Sequence, residues 1–168
     1  EVHGFDFKET DLDLTSFNLI DLRDPSTIDV AVDKVGGKVD ALFNCAGLPQ
    51  TAPAIDVMRV NFAGTRHLTE KVIPLLNEGA AIASISSNGG LGWSRRMPVI
   101  MELISQQGFD AAIKWCEDHL DDVKEGYAFS KEVIIVWTML TAAHLIKKGI
   151  RMNCIMPGPT ETPMMSHF

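Results

Sequence analysis

A single tyrosine occurs in the 168 residues, and a lysine follows it by four positions: Tyr127-Ala128-Phe129-Ser130-Lys131. On a helix, positions i and i+4 share a face, so a phenol and an ammonium at this spacing can approach one reacting group. An unperturbed tyrosine ionises near pH 10 and is a poor base at neutrality, but a neighbouring cation favours the phenolate. The pair is therefore suited to moving a proton to or from an oxygen. Alone it is a weak signal, because the same spacing is common on exposed helix faces. Ser87, in the doublet Ser86-Ser87 at the end of an apolar run, offers a hydroxyl that could hold a substrate oxygen. Asn44-Cys45-Ala46-Gly47 ends another apolar run, where small residues let the backbone approach a ligand. Asn61 falls inside a helical pattern, a poor place for asparagine unless its amide has a partner. Pro157-Gly158-Pro159-Thr160-Glu161-Thr162 forms a rigid loop with two hydroxyls.

These groups work together only if the elements bring them together. Short β-like runs alternate with longer helical patterns, the signature of a parallel α/β sheet. Strands are expected at 2–6, 17–21, 39–44, 80–86 and 151–156, and helices at 24–35, 55–77 and 126–148. Asp24-Pro25-Ser26 opens the first helix and Gly36-Gly37 closes it. Pro74 is expected to disturb the last turns of the second. In the third, apolar residues from Val133 to Ile146 run nearly all round the axis, so it must be covered on more than one side. Between the serines and this helix, 98–105 and 109–123 also read as helical, with Phe109, Ile113, Cys116, Leu120 and Val123 on one side of the latter. Ser87 and 44–47 then stand at carboxyl ends of strands, where crevices form in open α/β sheets.

Composition narrows the classes. Hydrophobic residues at 46% and charged residues at 22% are ordinary for a globular domain. A formal net charge of −7 disfavours a nucleic-acid partner, and the doublets Arg95-Arg96 and Lys147-Lys148 read as solvated positions. Three cysteines at wide spacing (Cys45, Cys116, Cys154) and scattered histidines predict neither a disulfide framework nor a metal site, and suit a cytoplasmic location. The longest apolar stretch is shorter than the roughly 18 residues a membrane span needs, so no membrane partner is expected.

Five motifs, in order and in this context, resemble the short-chain dehydrogenase/reductase family over essentially the whole chain. Asn44-Cys45-Ala46-Gly47 resembles the family's Asn-Asn-Ala-Gly, Val60-Asn61 its helix asparagine, and Ser87 its active-site serine. Tyr127 and Lys131 match its Tyr-x-x-x-Lys, and Pro157-Gly158 with Thr162 its Pro-Gly loop, in which Thr160 also stands. The resemblance implies a Rossmann-like, doubly wound parallel sheet in one domain. It implies catalysis by Asn61, Ser87, Tyr127 and Lys131: Tyr127 as acid/base, Lys131 lowering its pKa and binding the nicotinamide ribose, Ser87 holding the substrate oxygen, and Asn61 a water leading from Lys131. Cofactor contacts carry over to Asp21-Leu22 at the adenine, to 44–47 and the Pro-Gly loop, and to Asp6 at the adenosine ribose. A carboxylate at Asp6 repels a 2′-phosphate, so NAD is expected over NADP. A small-molecule alcohol or ketone is the expected partner, with a homodimer or homotetramer formed partly through the 126–148 helix.

Three departures qualify the resemblance. The family's Gly-x-x-x-Gly-x-Gly turn, which seats a pyrophosphate at a helix N-terminus, does not occur; Asn88-Gly89-Gly90-Leu91-Gly92 has the wrong place and spacing. The strand bearing that turn belongs mid-sheet, between those at 2–6 and 39–44, so the chain is expected to be cut at the front, and at the back beyond the Pro-Gly loop. Forty positions separate Ser87 from Tyr127, longer than the family usually shows, leaving a helical insert at about 89–125. That insert resembles the subgroup acting on hydroxysteroids and coniferyl-type alcohols. Cys45 replaces the second asparagine and is expected to be a packed thiol, not a nucleophile. A non-catalytic dinucleotide-binding regulator, and a redox-neutral enzyme acting on sugar nucleotides, stay open as alternatives.

Overall fold

The computed structural model describes residues 1–162, an α/β arrangement with parallel strands in two groups. Strands β1 (His3–Asp6) and β2 (Ser16–Leu19) pair with each other. Strands β3 (Val39–Asn44), β4 (Leu76–Ile85) and β5 (Arg151–Ile155) form a second sheet in the order β3-β4-β5. The two groups do not pair, and the break between β1 and β3 falls where the resemblance assigns the strand carrying the glycine-rich turn. β3 therefore has one open edge; Phe43 is 71% exposed, although its run reads as a strand buried on both faces.

Helix α1 (Pro25–Asp33) starts as expected: Asp24 Oδ1 accepts from the Ser26 N–H at 2.9 Å, and Pro25 needs no partner in the first turn. The segment expected as one helix over 55–77 is broken. It runs as α2 (Ala54–Met58), a widened π-helical turn at Arg59–Gly64, α3 (Thr65–Val72) and a tight turn at Ile73–Leu75. Pro74 lies in that last turn, and β4 begins at Leu76 rather than at Ala80 because Leu76 pairs with Val39 across a register shift. The π turn leans on the 21–22 corner: a Cβ at Gly64 would stand 2.1 Å from the Leu22 carbonyl oxygen, so no larger residue fits.

The insert forms α4 (Met97–Ser105), α5 (Gly108–Asp118) and α6 (Leu120–Val123). Its second helix breaks at His119, which turns Leu120 out to solvent while Phe109, Ile113, Cys116 and Val123 stay buried. Helix α7 (Gly126–Leu145), continued by a tight turn at Ile146–Lys148, is long and apolar enough to cross a membrane by length and composition. Most of its apolar window, 61%, is buried inside the fold, which marks a core helix. From Phe129 to Thr138 it is covered all round, whereas Met139, Leu140 and Ile146 are exposed.

Candidate active site

Tyr127 stands in the first turn of α7 and Lys131 one turn later, where the i,i+4 spacing puts both on one face. Lys131 is only 5% exposed; its Nζ donates to the Ile85 carbonyl at 2.8 Å and lies 5.5 Å from the centre of the Tyr127 ring. Burial disfavours the ammonium and draws its pKa down to about 8. The lysine's backbone is pinned too. Ser86 Oγ donates to the Lys131 carbonyl at 2.8 Å, and Gly90 passes so close that a Cβ there would meet that carbonyl at 2.9 Å.

Ser87 follows β4 and opens a short turn in which its Oγ accepts from the Gly89 N–H at 3.1 Å and donates to Asn88 Oδ1 at 3.2 Å. An added Cβ at Gly89 would lie 3.5 Å from Ser87 Oγ and 3.8 Å from Tyr127 Cε1, so the hydroxyl and the phenol ring flank this glycine. They line one open cleft of about 480 Å³, shared with Gln50, Asn88, Lys124 and Glu125. The Pro-Gly loop adjoins it: the Asn88 N–H donates to the Pro157 carbonyl at 3.0 Å. Thr160 Oγ1 donates to the Gly158 carbonyl at 3.0 Å, and Thr162 is exposed.

Asn61 is 2% exposed in the π turn, a local form frequent at functional sites. Its Oδ1 accepts from the Leu48 N–H at 2.7 Å, and its Nδ2 donates to the Leu48 carbonyl and to Ser130 Oγ, both at 3.1 Å. Ser130 Oγ in turn donates to the Tyr127 carbonyl at 2.7 Å. Both amide protons thus go to protein partners, so the side chain braces the Leu48 loop against the tyrosine's turn. The expected role of holding a water does not rest on that NH2 group.

The other expected contacts are dispersed. Asn44 is buried at the end of β3, its Nδ2 donating to Thr69 Oγ1 at 2.9 Å and Ser84 Oγ at 3.0 Å. Cys45 is exposed, which corrects the expectation of a packed thiol; it follows β3, whose outer edge pairs with no strand among the described residues. Ala46 is also exposed. Asp6 ends β1, exposed, with Oδ1 accepting from the Lys8 N–H at 3.1 Å. Asp21 follows β2 and is held by Arg23 at 2.7 Å, whose hydrogen bond keeps the carboxyl below its ordinary range; Leu22 is buried. The residues near Lys131 fit a nicotinamide ribose. An ammonium has three donors, one of which goes to Ile85. A Cβ at Gly47 would stand 3.7 Å from Nζ and 3.4 Å from Asn61 Oδ1, so glycine keeps that floor open. No glycine-rich turn for a pyrophosphate occurs among the described residues.

Proton-transfer groups at the carboxyl ends of parallel strands suit enzymes of dinucleotide chemistry. The family described as short chain dehydrogenase matches residues 8–99, more than half of the chain. The chain belongs to the short-chain dehydrogenase family. A second family description, Enoyl-(Acyl carrier protein) reductase, matches residues 117–168, the part holding Tyr127 and Lys131. The chain is 36% identical over 168 residues to a coniferyl-alcohol dehydrogenase of Pseudomonas sp. (strain HR199 / DSM 7063), covering 99% of this chain and 66% of that protein. It is 28% identical over 172 residues to a 3-alpha-hydroxysteroid dehydrogenase/carbonyl reductase of Comamonas testosteroni, covering 98% and 65%. In fold it resembles the crystal structure of the 3-alpha-hydroxysteroid dehydrogenase from Pseudomonas sp. B-0831 complexed with NADH, with a TM-score of 0.78 and 24% identity over 98% of this chain and 65% of that one. The chain thus spans slightly under two thirds of the length of these relatives.

Sequence reasoning brought Asn61, Ser87, Tyr127 and Lys131 into one site but missed the residues that hold them. Ser86 and Ser130 were in view as neighbours of motif residues, and their backbone partners have no sequence signal. Arg96, expected to be solvated, is half-buried against α7. The signal was Glu132, a charged residue at the head of an apolar run that needs a counter-charge.

Proposed function

We propose that this protein is an oxidoreductase that transfers hydride between a nicotinamide dinucleotide and a secondary or aryl alcohol or the corresponding ketone or aldehyde. The observation that carries the reading is a buried Lys131 beside Tyr127, with Ser87 across Gly89 in the same open cleft. The bound nicotinamide supplies the hydride acceptor or donor. Tyr127 takes the substrate hydroxyl proton in oxidation and returns it in reduction. The Lys131 ammonium places a positive charge beside the phenol for that transfer, and its remaining donors hold the ribose. Ser87 donates to the substrate oxygen and fixes it opposite the phenol. Asn61 braces the Leu48 loop and, through Ser130, the tyrosine's turn.

Asp6 is assigned to the adenosine ribose, which favours NAD; Asp21, Leu22, 44–47 and the loop bearing Pro157, Gly158, Thr160 and Thr162 are assigned to the rest of the cofactor. Aryl and hydroxysteroid-like alcohols are the substrate classes to try, given the names of the two relatives. The exposed Met139, Leu140 and Ile146 are assigned to contact with a second copy, in a homodimer or homotetramer of a cytoplasmic enzyme. The test follows NADH and NADPH formation in the near-ultraviolet over a panel of aryl, steroid and aliphatic alcohols, with product analysis. Turnover to a carbonyl product, faster with NAD, supports the reading. Cofactor binding with no turnover on any alcohol or ketone favours a regulator, and a redox-neutral product favours an epimerase or dehydratase.

A further inference from the structure

Arg96 reaches three points around the turn that carries Tyr127 and Lys131. Its Nη2 donates to the Asp122 carbonyl, its guanidinium stands 4.3 Å over the Phe129 ring, and its Nη1 lies 3.4 Å from Glu132 Oε2. Asp122 precedes Tyr127, Phe129 lies between the tyrosine and the lysine, and Glu132 follows Lys131 directly. One guanidinium thus touches the chain before, within and after the catalytic turn.

From the side of β4 the turn is held by Ser86 Oγ on the Lys131 carbonyl and by the close pass of Gly90. The residue before α7, Glu125, makes no side-chain capping bond to the first turn, and uncapped helix ends leave backbone donors without partners. Gly126 packs closely on Ala54, and Ser130 bonds the Tyr127 carbonyl, but both act from the side of α2 and the π turn. Arg96 acts from the side of the insert, at the entry to α4.

Glu132 is placed to anchor the arginine. Its side chain is 7% exposed, and Oε2 accepts no hydrogen bond. Oε1 presses on Gly92, where an added Cβ would stand 2.6 Å away. Burial raises the carboxyl's pKa, Arg96 opposes that rise, and Glu125 adds to it by repulsion. A buried carboxylate without its cation is strongly unfavourable, so the pair locks Arg96 in place.

We propose that Arg96, held by Glu132, is a positioning residue that clamps residues 122–132 so that the Tyr127 phenol and Lys131 ammonium keep the placement proton transfer requires; as a role in catalysis this rests on the function proposed above. Arg96 does not line the cleft. Its effect passes through the segment it holds, which also carries Lys124 and Glu125 to the cleft wall.

The test uses the whole protein with Arg96→Met, Arg96→Lys, Glu132→Gln and the double variant Arg96→Met/Glu132→Gln. Arg96→Met alone leaves a buried carboxylate unpaired and is prone to unfold; the double variant removes both charges and decides the matter. The placement of Tyr127, the one tyrosine of the chain, is read from the NMR signals of its labelled ring, compared between each variant and wild type, which needs no activity. Loosening the segment shifts or broadens those ring signals in the double variant. The same variant lowers kcat by about tenfold or more with cofactor Kd little changed, as misplaced reacting groups do. Arg96→Lys keeps the charge and recovers most of both. A double variant with lowered Tm but unchanged Tyr127 ring signals and kcat overturns the clamp and leaves the proposed reaction standing. Shifted Tyr127 ring signals in the double variant of a protein whose wild type turns over no alcohol support the clamp and overturn the reaction.

Discussion

Replacing Asn61 by leucine keeps the number and branching of the side-chain heavy atoms but removes every hydrogen bond its side chain makes. Three are lost: from the Leu48 N–H at 2.7 Å, to the Leu48 carbonyl at 3.1 Å and to Ser130 Oγ at 3.1 Å. At about 1 kcal/mol net for each, the loss is about 3 kcal/mol. Leu48 is half-buried, so water recovers part of what its backbone loses and the figure stays near that sum. Asn61→Asp keeps the acceptor for Leu48 N–H and loses two donors, so about 2 kcal/mol is expected. Either loss is a large share of the roughly 5–15 kcal/mol that holds a domain together. The assay is urea unfolding of the whole protein followed by the fluorescence of Trp93, Trp115 and Trp137. An unchanged slope with a lower midpoint reports stability alone. A loss below about 1 kcal/mol for Asn61→Leu refutes the brace, because three good bonds to partly buried groups do not vanish at so little cost.

Lys131 should set a pH dependence of stability: burial lowers its native pKa to about 8, so the native state releases its proton before the unfolded chain does. The burial cost is then full below pH 8 and is relieved by up to about 3 kcal/mol as pH rises through the unfolded value near 10.4. The difference in unfolding free energy between wild type and Lys131→Met should therefore change between about pH 7 and 9.5, toward wild type at the higher pH; an equal difference at both refutes the shift. At Gly64, an added Cβ meets backbone at 2.1 Å, so Gly64→Ala should cost about 3 kcal/mol or prevent folding, whereas Gly36→Ala, with nothing within 4 Å, should be near neutral in thermal unfolding. Asp6→Ala should narrow the ratio of kcat/KM for NAD over NADP by about tenfold, and an unchanged ratio shows that Asp6 is not at the ribose.

The elements most legible in sequence were those fixed by local pattern. Val39–Asn44 has its expected bounds, and α1 begins at its Asp-Pro signal. What long-range packing decides was not legible. β4 starts early because Leu76 pairs with Val39, though the sequence reads as helix up to Asn77. The widened turn at Arg59–Gly64 answers to the close approach of Leu22, which is distant in sequence. The site follows the same division. Tyr127 and Lys131 were visible from helical spacing, and Ser87 from its place after an apolar run. The partners Ile85 and Leu48 act through backbone atoms, which no residue type announces. Arg96 was misread because an arginine doublet is usually solvated, and only its buried partner Glu132 shows otherwise.

The central claim is that Tyr127, beside Lys131 and across Gly89 from Ser87, moves the substrate proton. It is tested most directly by comparing wild type with Tyr127→Phe in single-turnover alcohol oxidation at saturating cofactor, with cofactor Kd measured by fluorescence. The account predicts that hydride transfer falls by at least about a thousandfold, as loss of an acid/base group does, while Kd stays within about threefold. A Tyr127→Phe protein that transfers hydride within about tenfold of wild type contradicts it.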